Sequence, residues 1–262
     1  MDRGLKSWIG KILPRLLYFF IFLCVWQAVV VLFNIKIFIL PSPIRVFRLI
    51  FDPAVAVKYH WFRHIGATLT EVGVSFVASV IIGVGLGIII AWSKVLSQLL
   101  MPLVAMFNSL PKVALAPMCL LWLGYGLKTN IFIGVLVAFF PLVINSVTGL
   151  NAVEEDLLDL VRYLNASKLQ VFTKIRIPNS LPYIFAGLKI SATMCVVGAI
   201  VGEFIASEKG LGFLIREAQA FVDTPIMFAC LILLSVMGLL FFSFIQFLEG
   251  ICLSWNKKRS NA

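Results

Sequence analysis

Apolar positions in this chain come in long unbroken runs, not at the spacing of an amphipathic helix or the alternation of a half-buried strand. Crossing a bilayer's hydrocarbon takes about 20 apolar residues as helix, because each adds about 1.5 Å and every backbone polar group must be satisfied internally. Four charge-free stretches reach that length: Leu16 to Ile35, Val72 to Ser93, Thr129 to Val153 and Thr224 to Leu248. Two more are apolar but interrupted. Leu99 to Leu123 carries Pro102, Pro111 and Pro117 with Lys112 among them, and Tyr183 to Ala206 carries Lys189 near one end and Glu203 near the other. Together the runs predict an all-α polytopic membrane protein of six spans, a single domain over residues 1–262. The first run exceeds the roughly 7–15 apolar residues of a signal peptide and lacks a small-residue cleavage site, so it reads as a retained anchor.

Composition narrows the class further. Of 262 residues 61% are hydrophobic and 13% charged, where soluble proteins carry about 45–50% and about 25%. That excludes a disordered chain, a secreted disulfide scaffold and a cytosolic enzyme. The net charge is +10, but no long basic block follows a phosphate backbone, so the expected partner is the lipid headgroup and not nucleic acid. Cys24, Cys119, Cys195, Cys230 and Cys252 are far apart and embedded in apolar runs, as small core residues are. With an even number of spans both termini share one side. Placing them in the cytoplasm gives the inner segments 12 basic residues and the outer ones eight, the sign that the positive-inside rule asks for. Lys257, Lys258 and Arg259 weigh most in that choice, as Lys6, Lys11 and Arg15 do at the other terminus.

The interrupted spans hold the candidate pathway residues Pro111, Lys112, Pro117 and Glu203. A proline removes a helix hydrogen bond and a charge at bilayer centre costs at least about 2.5–3.5 kcal/mol, so such segments face protein or a water-filled path. A helix broken around Lys112 would expose backbone carbonyls and amides to that path. Glu203 either caps or snorkels at a span end, pairs with a cation such as Lys112, or shapes the path. Glu71, Lys189 and Glu249 sit near span ends and call for no special role. Ser79, Gly83, Gly87 and Ala91 recur every four residues, a small-residue strip suited to helix packing. His60 and His64 stand four apart but lack a third ligand nearby, so they read as solvated interfacial histidines and no metal is expected. Gly124-Tyr125-Gly126 reads as a turn at a span end. The only Gly-Lys pair is Gly10-Lys11, with Leu5 where a phosphate-binding loop needs glycine. ATP hydrolysis is therefore not expected of this chain, nor is any cofactor.

About 30 residues separate the fourth and fifth spans, residues 154–182. Glu154, Glu155, Asp156 and Asp159 lead into Leu157, Leu158, Leu160, Val161 and Leu164, an amphipathic helix with acids at its positive end. Ala166 to Arg176 forms a second short helix, which Pro178 and Pro182 should stop.

This segment resembles the "EAA" loop of the permease subunits of bacterial ATP-binding-cassette importers. Asp159-Leu160-Val161 stands for Glu-Ala-Ala and Asn165-Ala166 for Gly-Ala, while Phe172, Ile175, Ile177, Pro178 and Pro182 match in place. Asn is the residue next to Gly in entering the left-handed backbone region that such a turn uses. Leu40-Pro41-Ser42-Pro43, Leu110-Pro111-Lys112-Val113-Ala114, Trp122-Leu123-Gly124-Tyr125-Gly126, and Glu203 followed by Gly210-Leu211-Gly212 are similar to the nitrate, sulfonate and taurine branch.

The resemblance implies a type I ABC importer (MetI-like) permease fold in the inner membrane. It further implies an energy-coupling loop served by Asp159, Asn165, Ala166, Ser167, Leu169, Phe172, Ile175 and Pro178. The implied partners are cytoplasmic ATPase subunits, an extracytoplasmic solute-binding protein and a second permease copy. The competing class is a stand-alone secondary transporter or channel, which would work without an ATPase and favours an inverted repeat that the six spans do not display.

Overall fold

A computed structural model describes residues 2–253, the side chains of 2–13, 15 and 16 excepted. Lys6, Lys11 and Arg15, whose side chains are excepted, and Lys257, Lys258 and Arg259, which lie outside the described residues, are the clusters on which the sidedness reading leans. Every regular element among the described residues is a helix. In chain order these are α1 (Asp2–Leu32), α2 (Pro43–Phe51), α3 (Pro53–Lys58), α4 (Trp61–Ala91), α5 (Lys94–Ser109) and α6 (Lys112–Leu123). Then come α7 (Leu127–Asn151), α8 (Glu155–Tyr163), α9 (Lys168–Val171), α10 (Ile177–Ala206), α11 (Leu211–Ala220) and α12 (Thr224–Cys252).

Four of these stretches are long and apolar enough to cross a membrane: α4, α7, the continuous helix Lys168–Ala206, and α12. The pair α5 and α6 passes the same test jointly, bent by 88°, and Leu17–Leu32 within α1 is a shorter apolar helix. All six apolar runs are thus helical. The bend in the third lies at Pro111: the residue before a proline is disfavoured in the helical region, and Leu110 is extended at φ −65°, ψ 138°. Pro102 and Pro117 are absorbed within their helices.

Two boundaries differ from the sequence reading. α4 begins well ahead of Val72, at Trp61, because the helix continues through polar positions, of which His64, Thr68 and Glu71 find partners. And Pro178 and Pro182 do not stop the helix that follows the loop. A π-helical turn, Phe172–Arg176, with Ile177 N–H bonded to Phe172 O, joins α9 to α10. The wider turn relieves the clash that the Pro178 ring would make with the carbonyl one turn back, and places the proline in the first turn of α10, where its missing N–H costs little.

The described chain divides into two compact units, one of residues up to 62 with 214–232, the other of 63–213 with 233 onward. In the first, Trp26 packs on Phe228 with ring centroids 5.8 Å apart, Thr224 Oγ1 donates to Phe38 O at 2.7 Å, and Tyr59 OH donates to Asp223 Oδ2 at 3.2 Å. Asp52 Oδ1 caps α3 by accepting the Ala54 N–H at 2.9 Å.

The second unit is built on antiparallel α7 and α10, which approach backbone to backbone. A Cβ on Gly198 would lie 2.6 Å from Gly134 Cα, so glycine is required at that crossing. Ser191 Oγ donates to Ala138 O at 2.6 Å nearby. The strip on α4 faces α7 within the chain: a Cβ on Gly83 would lie 2.6 Å from Leu142 Cβ, the close approach that small residues permit. α6 joins through Ala116 and Cys119 against Ile133 and Val137, and α12 through Ile245 near Phe185 and Ala192. Lys189 Nζ pairs with Glu249 Oε2 at 2.8 Å, joining α10 to α12. Other large apolar side chains, Ile81, Leu121, Leu239 and Phe247 among them, point outward, as lipid-facing residues do.

Candidate functional site

Glu155 and Asp156 open α8, where a helix N-terminus favours negative charge. At its other end the Ala166 N–H donates to Val161 O at 3.0 Å and the Asn165 N–H to Arg162 O at 2.9 Å, the bond pair of a Schellman motif. That motif needs one left-handed residue, and Asn165 supplies it at φ 55°. Ser167 then starts α9 in a reciprocal cap: Ser167 Oγ accepts the Gln170 N–H at 3.3 Å and Gln170 Oε1 accepts the Ser167 N–H at 2.8 Å. Two satisfied helix ends back to back fix the angle between α8 and α9.

Phe172 and Arg176 fasten this segment to the spans. The Phe172 ring is buried with Ala91 and Leu150 and meets Trp92 edge-on at 4.8 Å. Arg176 Nη1 donates to Ala91 O at 3.4 Å, covering a carbonyl at the end of α4. Asp159, Asn165, Ser167, Leu169 and Pro178 are exposed, and Ala166 and Ile175 half-buried. Asp159 pairs with Arg162 at 2.7 Å on the surface, a bond of little net worth. Leu157, Leu160, Tyr163, Leu164 and Leu169 are all exposed as well, Tyr163 at 87%.

The pathway candidates do not converge. Lys112 Nζ donates to Asn108 O at 2.7 Å and Asn108 Oδ1 at 2.9 Å, and stands 5.1 Å from the Phe140 ring centroid. It thereby covers a carbonyl freed by the bend, and it makes no ion pair with Glu203. Pro111 forms the bend, and Pro117 lies within α6.

Glu203 sits instead in a fully buried polar cluster at the other end of α4 from Phe172. Its Oε1 accepts from Thr68 Oγ1 at 2.5 Å and its Oε2 accepts the Gly212 N–H at 2.5 Å. Thr68 Oγ1 also accepts the Leu211 N–H at 2.9 Å, and His64 Nδ1 accepts the Gly210 N–H at 2.9 Å. Three successive amides of the Gly210-Leu211-Gly212 turn are thus each held by a side chain. Gly210 has φ 114°, and a Cβ there would run into the Glu203 carboxyl. Both constraints demand glycine.

Glu71 completes the cluster. It is fully buried, and its Oε1 accepts from Asn130 Nδ2 at 2.9 Å. Two readings of the sequence change here: Glu71, expected to need no special role at a span end, is a buried partner of Asn130, and His64 is buried, stacked on Phe213 at 5.8 Å, not solvated. His60 has φ 47° ahead of α4, so the two histidines do not share a helix face. The missed signal was His64, Thr68, Glu71, Ser75 and Ser79, polar positions on one face of an otherwise apolar helix. Beside the turn, a cavity of about 350 Å³ is lined by Arg63, Tyr125, Glu208 and Lys209.

With this geometry in view, residues 83–250 match the model of the family described as binding-protein-dependent transport system inner membrane component. The chain belongs to that family. It is therefore a multi-pass inner-membrane permease of the ABC importer class. It is 31% identical over 243 residues to the formylaminopyrimidine transport permease protein of Halalkalibacterium halodurans, covering 93% of this chain and 96% of the relative. Against the putative aliphatic sulfonates transport permease protein of Bacillus subtilis the identity is 29% over 246 residues, 94% of this chain and 87% of the relative. Among solved structures, the methionine ABC transporter MetNI in an inward-facing conformation matches with a TM-score of 0.62 and 19% identity, over 72% of this permease and 94% of that chain. The MetI-like fold expected from the sequence is the fold observed.

Proposed function

We propose that this permease is the translocating subunit of an ATP-driven importer for a small anionic or vitamin-like solute. All of 1–262 acts as one permease domain, paired with a second copy, with both termini in the cytoplasm. Two cytoplasmic ATPase subunits supply the energy through residues 154–178, and an extracytoplasmic solute-binding protein delivers the solute. The chain itself hydrolyses nothing.

The observation that carries this reading is the loop's construction. It is stiffened by two caps and fastened to the spans by Phe172 and Arg176, yet it leaves Leu160, Tyr163, Leu164 and Leu169 exposed. A rigid handle with uncovered apolar side chains suits a partner that grips and moves it. Because it links α7 to α10, a displacement there would move two closely packed spans as one lever and open the path beside the broken α5–α6 span in alternation. Arg63 and Lys209 at the far cavity suit an anionic solute, and the transported compounds named for the relatives are small.

The test is uptake by the permease reconstituted with ATPase and binding protein, comparing wild type with Ala166→Glu and Leu169→Glu. The expected result is a loss of uptake and of ATPase stimulation, about tenfold or more, with insertion and melting unchanged. Undiminished uptake in both variants, or uptake by the permease without the ATPase, would overturn the reading.

A further inference from the structure

A second cavity lies against the same loop. A cavity of about 560 Å³ opens between the end of α4, the start of α5 and the α8–α9 turn, within the range of roughly 300–1,000 Å³ typical of small-ligand sites. Lys94, Arg162, Lys168 and Arg176 line it, and no carboxylate does. Of these four, only Arg162 has an acidic partner among the described residues, the exposed Asp159. Four cations around one cavity, with no carboxylate in its lining, make a positive field that draws an anion. Arginine offers paired N–H donors to phosphate oxygens and lysine a compact charge.

The cavity's position narrows the source of the anion. Trp92, half exposed and braced by Phe172, forms its rim directly after the last residue of the apolar α4. An indole there marks the membrane–water interface, the depth at which lipid phosphates lie. We infer that this cavity binds a phosphate group, presented by the headgroup of an acidic phospholipid, and that the bound lipid braces the loop against the spans. This builds on the proposed function only in setting the loop at a membrane face, and binding is read on the isolated permease. Its failure would therefore leave energy coupling untouched, and failure of coupling would leave the site standing.

The experiment is native mass spectrometry of the purified full-length chain with phosphatidylglycerol or phosphatidylcholine, with inorganic phosphate as a separate competitor. Wild type should favour phosphatidylglycerol about tenfold, and the Lys94→Gln/Lys168→Gln double variant should lose most of that preference. Neither lysine holds a backbone group, so this variant should fold; Arg176→Gln serves as a second, with melting measured alongside. Competition by millimolar phosphate would assign the site to a free anion, and its absence to the lipid; either supports a phosphate site. Equal binding of the two lipids, or a double variant that binds phosphatidylglycerol as wild type does, overturns it. So does a chain that binds neither lipid.

Discussion

Glu203 shows how much can depend on one buried side chain. Its two oxygens serve Thr68 and the Gly212 amide at once, and Thr68 in turn holds the Leu211 amide. Glu203→Ala would strip a partner from the buried Thr68 hydroxyl and from the buried Gly212 amide, at about 1–3 kcal/mol for each buried group left unmatched. Glu203→Gln behaves differently. The amide oxygen can keep the Gly212 N–H while the NH₂ donates to the free lone pair of Thr68, whose hydroxyl then turns to the His64 carbonyl, 3.2 Å away. We expect Glu203→Ala to lower the melting temperature in detergent by several degrees, roughly 2–4 °C per kcal/mol for a chain of this size, and Glu203→Gln to stay near wild type. Equal losses in the two would mean that charge, not hydrogen-bond matching, sustains the cluster.

The loop poses the corresponding question at the level of an element, since its shape rests on Asn165 at φ 55°. Asn165→Gly restores the residue best suited to that conformation and should preserve both folding and uptake. Asn165→Val places a branched Cβ in the left-handed region, at about 1–2 kcal/mol, and should unseat the Schellman turn and cut uptake severalfold while α4, α7 and α10 remain intact by circular dichroism. Val222 stands at φ 57°, so the strain alone is tolerable; the prediction concerns the angle between α8 and α9. These elements also show what could be read from the chain before its structure. The loop's caps rely on partners within a few residues, Asn165 with Arg162 and Ser167 with Gln170, and local rules find them. The six spans were legible for the same reason, since length and apolarity are local properties. The acid cluster was not, because its bonds join positions as far apart as 68 and 203, and Glu71 looks like any span-end charge until Asn130 is beside it. The prolines misled in the opposite direction: a single π-helical turn, which no composition signals, carried the helix past Pro178.

At the scale of the whole molecule, α4 works as a measuring rod. Thr68 touches the Gly210–Gly212 turn near one end and Ala91 touches Phe172 and Arg176 at the other. Helical rise puts these contacts about 35 Å apart, slightly more than the roughly 30 Å of a bilayer's hydrocarbon. The loop and the glycine turn therefore belong to opposite aqueous faces, and whichever side holds one, the other side holds the second. The orientation proposed above, which follows the sign of the positive-inside bias, puts the loop inside. Cysteine labelling tests both statements together. Cys24 and Cys252 are exposed and need replacing by serine, whereas Cys119, Cys195 and Cys230 are buried and can stay. In that background, Tyr125→Cys, beside the glycine turn and 77% exposed, should react with a membrane-impermeant maleimide on intact cells. Tyr163→Cys, on the loop, should react only after permeabilisation. Labelling of both from one side would contradict the span geometry itself. The reversed pattern would keep the geometry but put the loop out of an ATPase's reach, and the proposed coupling would fall with it.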